Sequence, residues 1–505
     1  MNTRRAAGVL LHPTSLPGAF GIGDLGPAAH RWLEWLDDAS LALWQVLPLG
    51  PTGYGDSPYQ CFSAFAGNPL MVSPELLVND GLLEQIDLDG LRLPESRVDF
   101  GAVIAKKQEM LGIAFRRFEA GAAPALRREL DAFAAAHAAW LDDYALFAAL
   151  KLEHGGRNWV DWDPALTRRT PAALAAARER LRPRIDHERF AQFVWFRQWG
   201  ALRDAARARG VRIIGDVPIF VAHDSADVWA HPELFHLGED GRMPVVAGVP
   251  PDLFSATGQL WGNPIYRWDV MAGNGYAWWV ERMKSALELV DVVRLDHFIG
   301  FTRTWEVPAN AATAETGRWL PGPGEAVFRS MRGELGLLPI IAEDLGLVTP
   351  DVVALREQLH LPGMKVLQFA FGGGDDNVYL PHHHVPECAV YTGTHDNDTT
   401  RGWFDTADTG TRDHARRYLQ ADDRGLVRAM IRAAFASVAR LAIVPLTDVL
   451  EQGGEARMNL PGRPSGNWSW RFRESELTRE HAARLRDLAH LYGRTPATIP
   501  AVVAP

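Results

Sequence analysis

Four short apolar runs end in an acidic residue beside a polar neighbour: Ile213-Ile214-Gly215-Asp216, Val292-Val293-Arg294-Leu295-Asp296-His297, Ile340-Ile341-Ala342-Glu343-Asp344 and Val390-Tyr391-Thr392-Gly393-Thr394-His395-Asp396. A continuous apolar run of this length reads as a strand buried on both faces, and a charge just past its end is tolerated only where the strand opens onto water or a polar site. Several carboxylates therefore converge at one mouth. That pattern predicts a parallel barrel with an acidic site, and such sites most often cut or transfer glycosidic bonds.

The same reading along the chain gives eight strands: Val9–Leu11, Ala42–Leu47, Val211–Gly215, Val290–Leu295, Leu338–Ala342, Met364–Phe371, Ala389–Thr392 and Leu441–Leu446. Helical spacing separates most of them, over Pro27–Ala39, Gly275–Leu289, Gly324–Glu334, Pro350–Gln358 and Thr411–Ala439. Eight alternations fit a single (β/α)8 TIM barrel spanning 1–505, with an open doubly wound sheet as the alternative string. About 74–209 reads as an inserted, mostly helical subdomain rich in Ala, Leu, Arg and Glu. Two more insertions, about 223–274 and 302–323, carry Pro, Gly and Trp and read as ordered site loops.

Composition narrows the chemistry. A chain of 505 residues with 47% hydrophobic and 23% charged residues builds a large core without difficulty. Its 52 basic and 62 acidic residues leave a net charge of −10 with no long run of one sign, so nothing favours nucleic acid or an anionic membrane. Eighteen tryptophans offer flat faces for sugar rings, although a large core uses buried aromatics too. Cys61 and Cys388 are too few for a disulfide framework and point to a reducing, cytoplasmic setting. Arg4-Arg5 followed by an apolar stretch superficially resembles an export signal, but the stretch is short and meets His12-Pro13, so it reads as the first strand. No apolar segment approaches the ~20 residues that cross a bilayer.

Two motifs invite other readings. Gly21-Ile22-Gly23-Asp24-Leu25-Gly26 matches the dinucleotide fingerprint, yet His12–Phe20, with two prolines, separates it from the preceding strand, where the fingerprint needs its first glycine at the strand end. His382-His383-His384 lacks an acidic partner, and three adjacent histidines do not easily face one ion, so a solvated loop is expected and no metal. Neither a nucleophile elbow nor a phosphate-binding loop is present in the sequence.

The carboxylates stand out by shared position. Asp296 and Glu343 follow consecutive strands, which are neighbours in a barrel, so they can face each other across a sugar-sized gap. Arg294 precedes Asp296 by two residues, points to the same side of the strand, and should keep Asp296 ionised.

At these residues the chain resembles the 4-α-glucanotransferases, or amylomaltases and disproportionating enzymes, of glycoside hydrolase family 77 in the α-amylase clan. The likeness runs from Leu10–Pro17 through Trp44–Pro51, Gly53–Gln60, Pro250–Ser255, Gly258–Pro264, Arg294–Phe298, Ala342–Gly346 and Gly393–Asn397 to Arg457-Met458-Asn459 and Gly466-Asn467-Trp468. It implies Asp296 as nucleophile, Glu343 as general acid/base and Asp396 as the third carboxylate, which holds and distorts the donor sugar. It further implies Arg294, His395, His297, Asp216 and Asn467 as sugar contacts, Tyr59 as the aromatic that stacks on the sugar, and Asp252, Ser255, Gln259 and Trp261 on a flexible loop over the cleft. Ile299 and Thr302-Arg303 depart from the family's pattern.

The implied reaction moves a segment of a 1,4-α-glucan to the 4-hydroxyl of an acceptor by two displacements with net retention, without metal or organic cofactor. The expected partners are maltooligosaccharides, amylose or glycogen-derived glucans and glucose. An α-glucan hydrolase on the same barrel and a non-catalytic glucan-binding protein are the competing readings.

Overall fold

Residues 4–251, 255–463 and 465–496 are described by a computed structural model. Eight parallel strands form in the predicted order: Ala6–Leu10, Leu43–Gln45, Arg212–Pro218, Val292–Asp296, Ile340–Ala342, Gly363–Val366, Cys388–Tyr391 and Leu441–Pro445. The last lies beside the first, with Ala6 opposite Leu441 and Leu10 opposite Pro445. Between the fifth and sixth strands the ring closes through the Ala342 N–H, which donates to Pro362 O at 2.9 Å. The fold is a (β/α)8 TIM barrel with insertions.

Strand parity sorts the apolar runs onto two cores. Ile214, Val292, Ile341, Val366, Ala389 and Ile443 point into the barrel and pack on one another. Their neighbours one residue along, such as Ile213, Val293, Ile340 and Val390, point outward against the helices. On the inner track the next residue towards the mouth is polar: Asp216 follows Ile214, Arg294 follows Val292, and Glu343 follows Ile341. The interior is thus apolar below and charged above, and the transition lies at the C-terminal ends of the strands.

The sixth strand is shorter than its apolar run. A single tight turn, Leu367–Phe369, replaces its second half, and Gln368 Nε2 donates to Asp398 O there at 2.9 Å while Asn377 Nδ2 donates to Phe369 O at 2.8 Å. The expected helix over Thr411–Ala439 is two helices, Thr409–Leu419 and Leu426–Ala436. Gln420 ends the first in a left-handed conformation (φ 51°), which reverses the chain before Gly425.

The stretch between the second and third strands is helical, and ends in the 27-residue helix Arg182–Ala208. Two of its glutamines fasten it to the preceding loops by copying a strand ladder. Gln192 exchanges hydrogen bonds with both backbone groups of Gly67 at 2.8 and 2.9 Å, and Gln198 does the same with Ser73 at 2.8 and 3.2 Å. Its C-terminal half serves the barrel, where the Trp199 indole donates to Leu289 O at 2.9 Å.

The two shorter insertions do not stay separate loops. Val245–Val249 and Gln259–Leu260 from one pair with Arg303–Pro308 and Arg318–Pro321 from the other in a four-stranded antiparallel sheet. Its strands are short and interrupted by Gly and Pro, which is why local pattern alone does not reveal them.

The Gly21–Gly26 segment is a packing device. A Cβ on Gly23 would lie 2.0 Å from Pro13 O, and one on Gly26 2.2 Å from Ser73 Oγ. The three histidines are engaged separately from any common centre: His382 with the Tyr418 hydroxyl and Asp375 O, His383 with Asp375 O and His384 with Tyr379 O. Cys61 and Cys388 are free thiols, and no described helix is long and apolar enough to cross a membrane.

At the N-terminal end of the barrel Arg494 is completely buried. Its guanidinium donates to five backbone carbonyls, those of Ala6, Phe435, Ser437, Ala439 and Arg440, at 2.6 to 3.1 Å. Arg494→Lys, with three donors, cannot replace all five hydrogen bonds and should lower unfolding stability by about 2–4 kcal/mol, read from the urea midpoint.

Candidate active site

Asp216 and Arg294 are direct cross-strand partners in the third and fourth strands, so their side chains emerge together on the inner face. Arg294 Nη1 lies 2.8 and 2.7 Å from the two Asp216 oxygens and 2.8 Å from Asp296 Oδ1. One buried guanidinium thereby joins two carboxylates. Burial lowers the Arg294 proton affinity, but the two anions outweigh it and hold the group charged well above the ordinary arginine range. Asp216 is fully enclosed, and burial, with the Asp296 charge, raises its carboxyl even with Arg294 alongside. The Asp296 side chain stays 26% exposed and faces the cleft.

Glu343 follows the fifth strand and is 8% exposed. Its carboxylate receives two backbone donors, His297 N–H to Oε2 at 2.7 Å and Leu345 N–H to Oε1 at 3.0 Å. Burial and then the nearby Asp296 charge push its carboxyl up to about 8, against the opposing pull of Arg294 and the two N–H groups. Two neighbouring carboxyl groups thus have different surroundings: Asp296 is paired with Arg294 and open to the cleft, while Glu343 is buried and keeps its proton near neutral pH.

Asp396, on the loop after the seventh strand, accepts from Asn459 Nδ2 at 2.6 Å and lies 3.3 Å from His395 Nε2. Its surroundings raise the carboxyl, but the His395 charge, the His395 hydrogen bond and Asn459 together hold it well below the usual carboxylate range. His395 is buried, which lowers its imidazole, yet the Asp396 charge prevails and its proton affinity is raised. Tyr59 stacks on the His395 ring (centroids 5.1 Å apart, planes at 13°) and donates its hydroxyl to Asp216 Oδ2 at 2.8 Å. Seven side chains, Tyr59, Asp216, Arg294, Asp296, His395, Asp396 and Asn459, from five loops and strands therefore form one connected polar floor.

A family model described as 4-α-glucanotransferase, glycoside hydrolase family 77, matches residues 11–478. The chain belongs to this family. It is a 4-α-glucanotransferase acting on α-1,4-glucans. The 4-α-glucanotransferase of Thermus thermophilus is 52% identical over 97% of this chain and 99% of its own. That of Solanum tuberosum, named chloroplastic/amyloplastic, is 44% identical over 98% and 87%. The amylomaltase of Streptococcus agalactiae, solved in complex with acarbose, superposes with a TM-score of 0.94 at 36% identity, covering 97% of this chain and all of its own.

Of the remaining site residues expected from sequence, Ser255, Gln259 and Trp261 share one segment of the 223–274 insertion. Trp261 follows the edge strand Gln259–Leu260, and its indole N–H donates to Gln259 Oε1 at 3.3 Å. It meets the His297 ring edge to face, centroids 4.6 Å apart. Ser255 Oγ donates to Gly258 O at 2.6 Å and helps shape the loop's turn. Asp252 lies outside the described residues. Asn467 spends its amide on the backbone of its own loop: it accepts from Leu460 N and donates to Leu460 O and Arg463 O.

Two contributors were not singled out by the sequence reading. Asn459 bonds Asp396 directly, and Arg457 Nη2 donates to Asp396 O at 2.6 Å while its Nε donates to Asn459 O at 2.7 Å. The Arg457-Met458-Asn459 motif was visible, but nothing local in it ties Asn459 to a carboxylate 63 residues away. Asn459→Ala removes a hydrogen bond to an ionised group, worth about 1.5–3 kcal/mol. Transfer from maltotriose should fall by roughly 10- to 100-fold with little change in melting temperature.

Proposed function

We propose that this 4-α-glucanotransferase works by retaining double displacement, with Asp296 as nucleophile, Glu343 as acid and base, and Asp396 binding and distorting the donor sugar. The observation that carries the reading is the contrast between neighbouring carboxyl groups: Asp296 is ion-paired with Arg294 and faces the cleft, while Glu343 is buried, held by two backbone N–H groups and pushed up to about 8. A protonated Glu343 donates to the departing O4 while ionised Asp296 attacks C1 and forms a covalent glucosyl-enzyme. Glu343, now a carboxylate, takes the proton from an acceptor 4-hydroxyl, whose oxygen attacks C1 and releases Asp296. Positive charge grows on the ring in both steps, where Asp296 and Asp396 stabilise it.

Asp216, Arg294, Tyr59 and His395 form the floor that would receive the donor ring; His297 and Asn467 act through backbone geometry. Maltooligosaccharides, amylose or glycogen-derived glucans and glucose are the proposed donors and acceptors, and acarbose, held by the Streptococcus agalactiae relative, would occupy the same floor. No metal or organic cofactor enters this scheme. The free Cys61 and Cys388 fit a cytoplasmic setting. Transfer outcompetes hydrolysis when the acceptor is held and water is not, a task for Ser255, Gln259 and Trp261 and, as the resemblance implies, Asp252.

Incubation with maltotriose tests the whole scheme: glucose and longer chains should accumulate at nearly constant reducing ends, whereas rising reducing ends would mark a hydrolase. Asp296→Asn should fold normally and lose transfer entirely, because an amide forms no glycosyl ester. Glu343→Gln should lose about 10² to 10⁴-fold on glucans. With α-glucosyl fluoride, whose leaving group needs no proton, it should accumulate an adduct on Asp296 in a peptic digest; label on another residue overturns both roles. Because the first step uses the protonated Glu343, kcat/KM on maltotriose should fall as pH rises through about 8 and be retained below it.

A further inference from the structure

Glu343 and Asp296 are held by different means. Asp296 is positioned by a side chain, Arg294, while the donors on the Glu343 carboxylate are the backbone N–H groups of His297 and Leu345. A backbone donor points where its own φ and ψ send it, and His297 is left-handed (φ 49°, ψ 54°), a conformation that non-glycine residues seldom adopt. Something must keep it there. The chain after it folds into the tight turn Phe298–Phe301, with the Gly300 N–H donating to His297 O at 2.9 Å and the Phe298 N–H to Glu343 O at 3.0 Å. On the other side the Trp261 indole stands against the imidazole at 88°. Burial pushes that imidazole down to about 4, so it is uncharged at neutral pH and suits an aromatic contact better than an ionic one.

Trp261 lies between two turns, Gly258 and Gly262 flanking it with φ of 69° and 75°. The two-residue edge strand Gln259–Leu260, the Trp261 N–H donating to Ala247 O at 3.1 Å and the Ala247 N–H donating to Asn263 O at 2.9 Å tie it to the antiparallel sheet. We propose that His297 is a positioning residue: its left-handed backbone, clamped by the Trp261 indole, holds an N–H against Glu343 Oε2, so that displacement of the segment carrying Trp261 changes how tightly Glu343 keeps its proton. This rests on the reading of Glu343 as acid and base, and it makes Trp261 a governor of that acid as well as a surface for sugar.

The sign follows from the donor. An N–H stabilises the carboxylate form, so weakening it makes Glu343 hold its proton to higher pH. The charged and titratable groups facing Glu343 are Asp296 and Arg294 on the fourth strand, His297 after it, and Tyr379 from the loop after the sixth strand. None of them is altered by a change at Trp261 other than His297.

The test follows Glu343 both through catalysis and directly. The alkaline limb of kcat/KM on maltotriose is compared with the infrared carboxylic-acid band that Glu343→Gln abolishes, across pH 5 to 10. His297→Val, whose branched side chain resists positive φ, and Trp261→Ala should each move limb and band upward by roughly half to one pH unit. His297→Asn, which tolerates the left-handed region, and Trp261→Phe, which keeps a ring against the imidazole, should leave both where the parent has them. A band titrating at one pH in parent, Trp261→Ala and His297→Val overturns the proposal. A band that shifts while the activity limb stays fixed supports the clamp and instead removes Glu343 from its role as acid and base. The Trp261 pair keeps the result decisive if His297→Val does not fold.

Discussion

A guanidinium buried between two carboxylates sets the terms for everything around it. Taking Arg294 out of water costs several kcal/mol, and only the flanking Asp216 and Asp296 make that burial tolerable. The trio carries one surplus negative charge, and the carboxylate that supplies it faces the cleft. Glu343, on the adjacent strand and sealed from water, feels that surplus and keeps its proton. The inner face of three consecutive strands is thus an electrostatic sequence: an anion compensated at depth, a cation shared, an anion exposed and an acid left neutral. Strand register enforces the order, since Asp216 lies opposite Arg294 and Arg294 two residues below Asp296.

How much of this was legible in the sequence follows from the range of each interaction. The eight strands were readable because strands buried on both faces leave unbroken apolar runs, and the charges that end them survive as marks of the barrel mouth. Arg294 and Asp296 were linked by the two-residue period alone. The antiparallel sheet was not legible: Val245–Val249 finds its partner in Arg303–Pro308, across a whole helix and barrel strand, and Gly and Pro mask its pattern. The same holds for Asn459, whose role exists only once the eighth and seventh strand loops meet. Gln420 shows the opposite limit, because its left-handed turn is local, yet nothing in its residue type announces it.

The sheet that sequence reading missed explains how two insertions serve one site. One edge ends at Trp261 and reaches Glu343 through His297; the other side carries Arg303, whose Nη2 donates to Thr349 Oγ1 at 2.7 Å, on the loop that begins at Glu343. The sheet thus touches both the residue that bonds the acid and the far end of the loop that follows the acid.

Arg494 has a consequence for how the chain comes into being. The first strand, Ala6–Leu10, waits for its partner Leu441–Pro445, more than four hundred positions later, and the seam between them is latched by a residue later still. During synthesis at ~5–20 residues per second the earlier strands would stand for tens of seconds as an open sheet with an unpaired edge. Contacts so distant in sequence also make closure slow. The long helix Arg182–Ala208, made before the third strand, packs on the first helix and on that strand, so part of the outer face is already covered while the seam is still open.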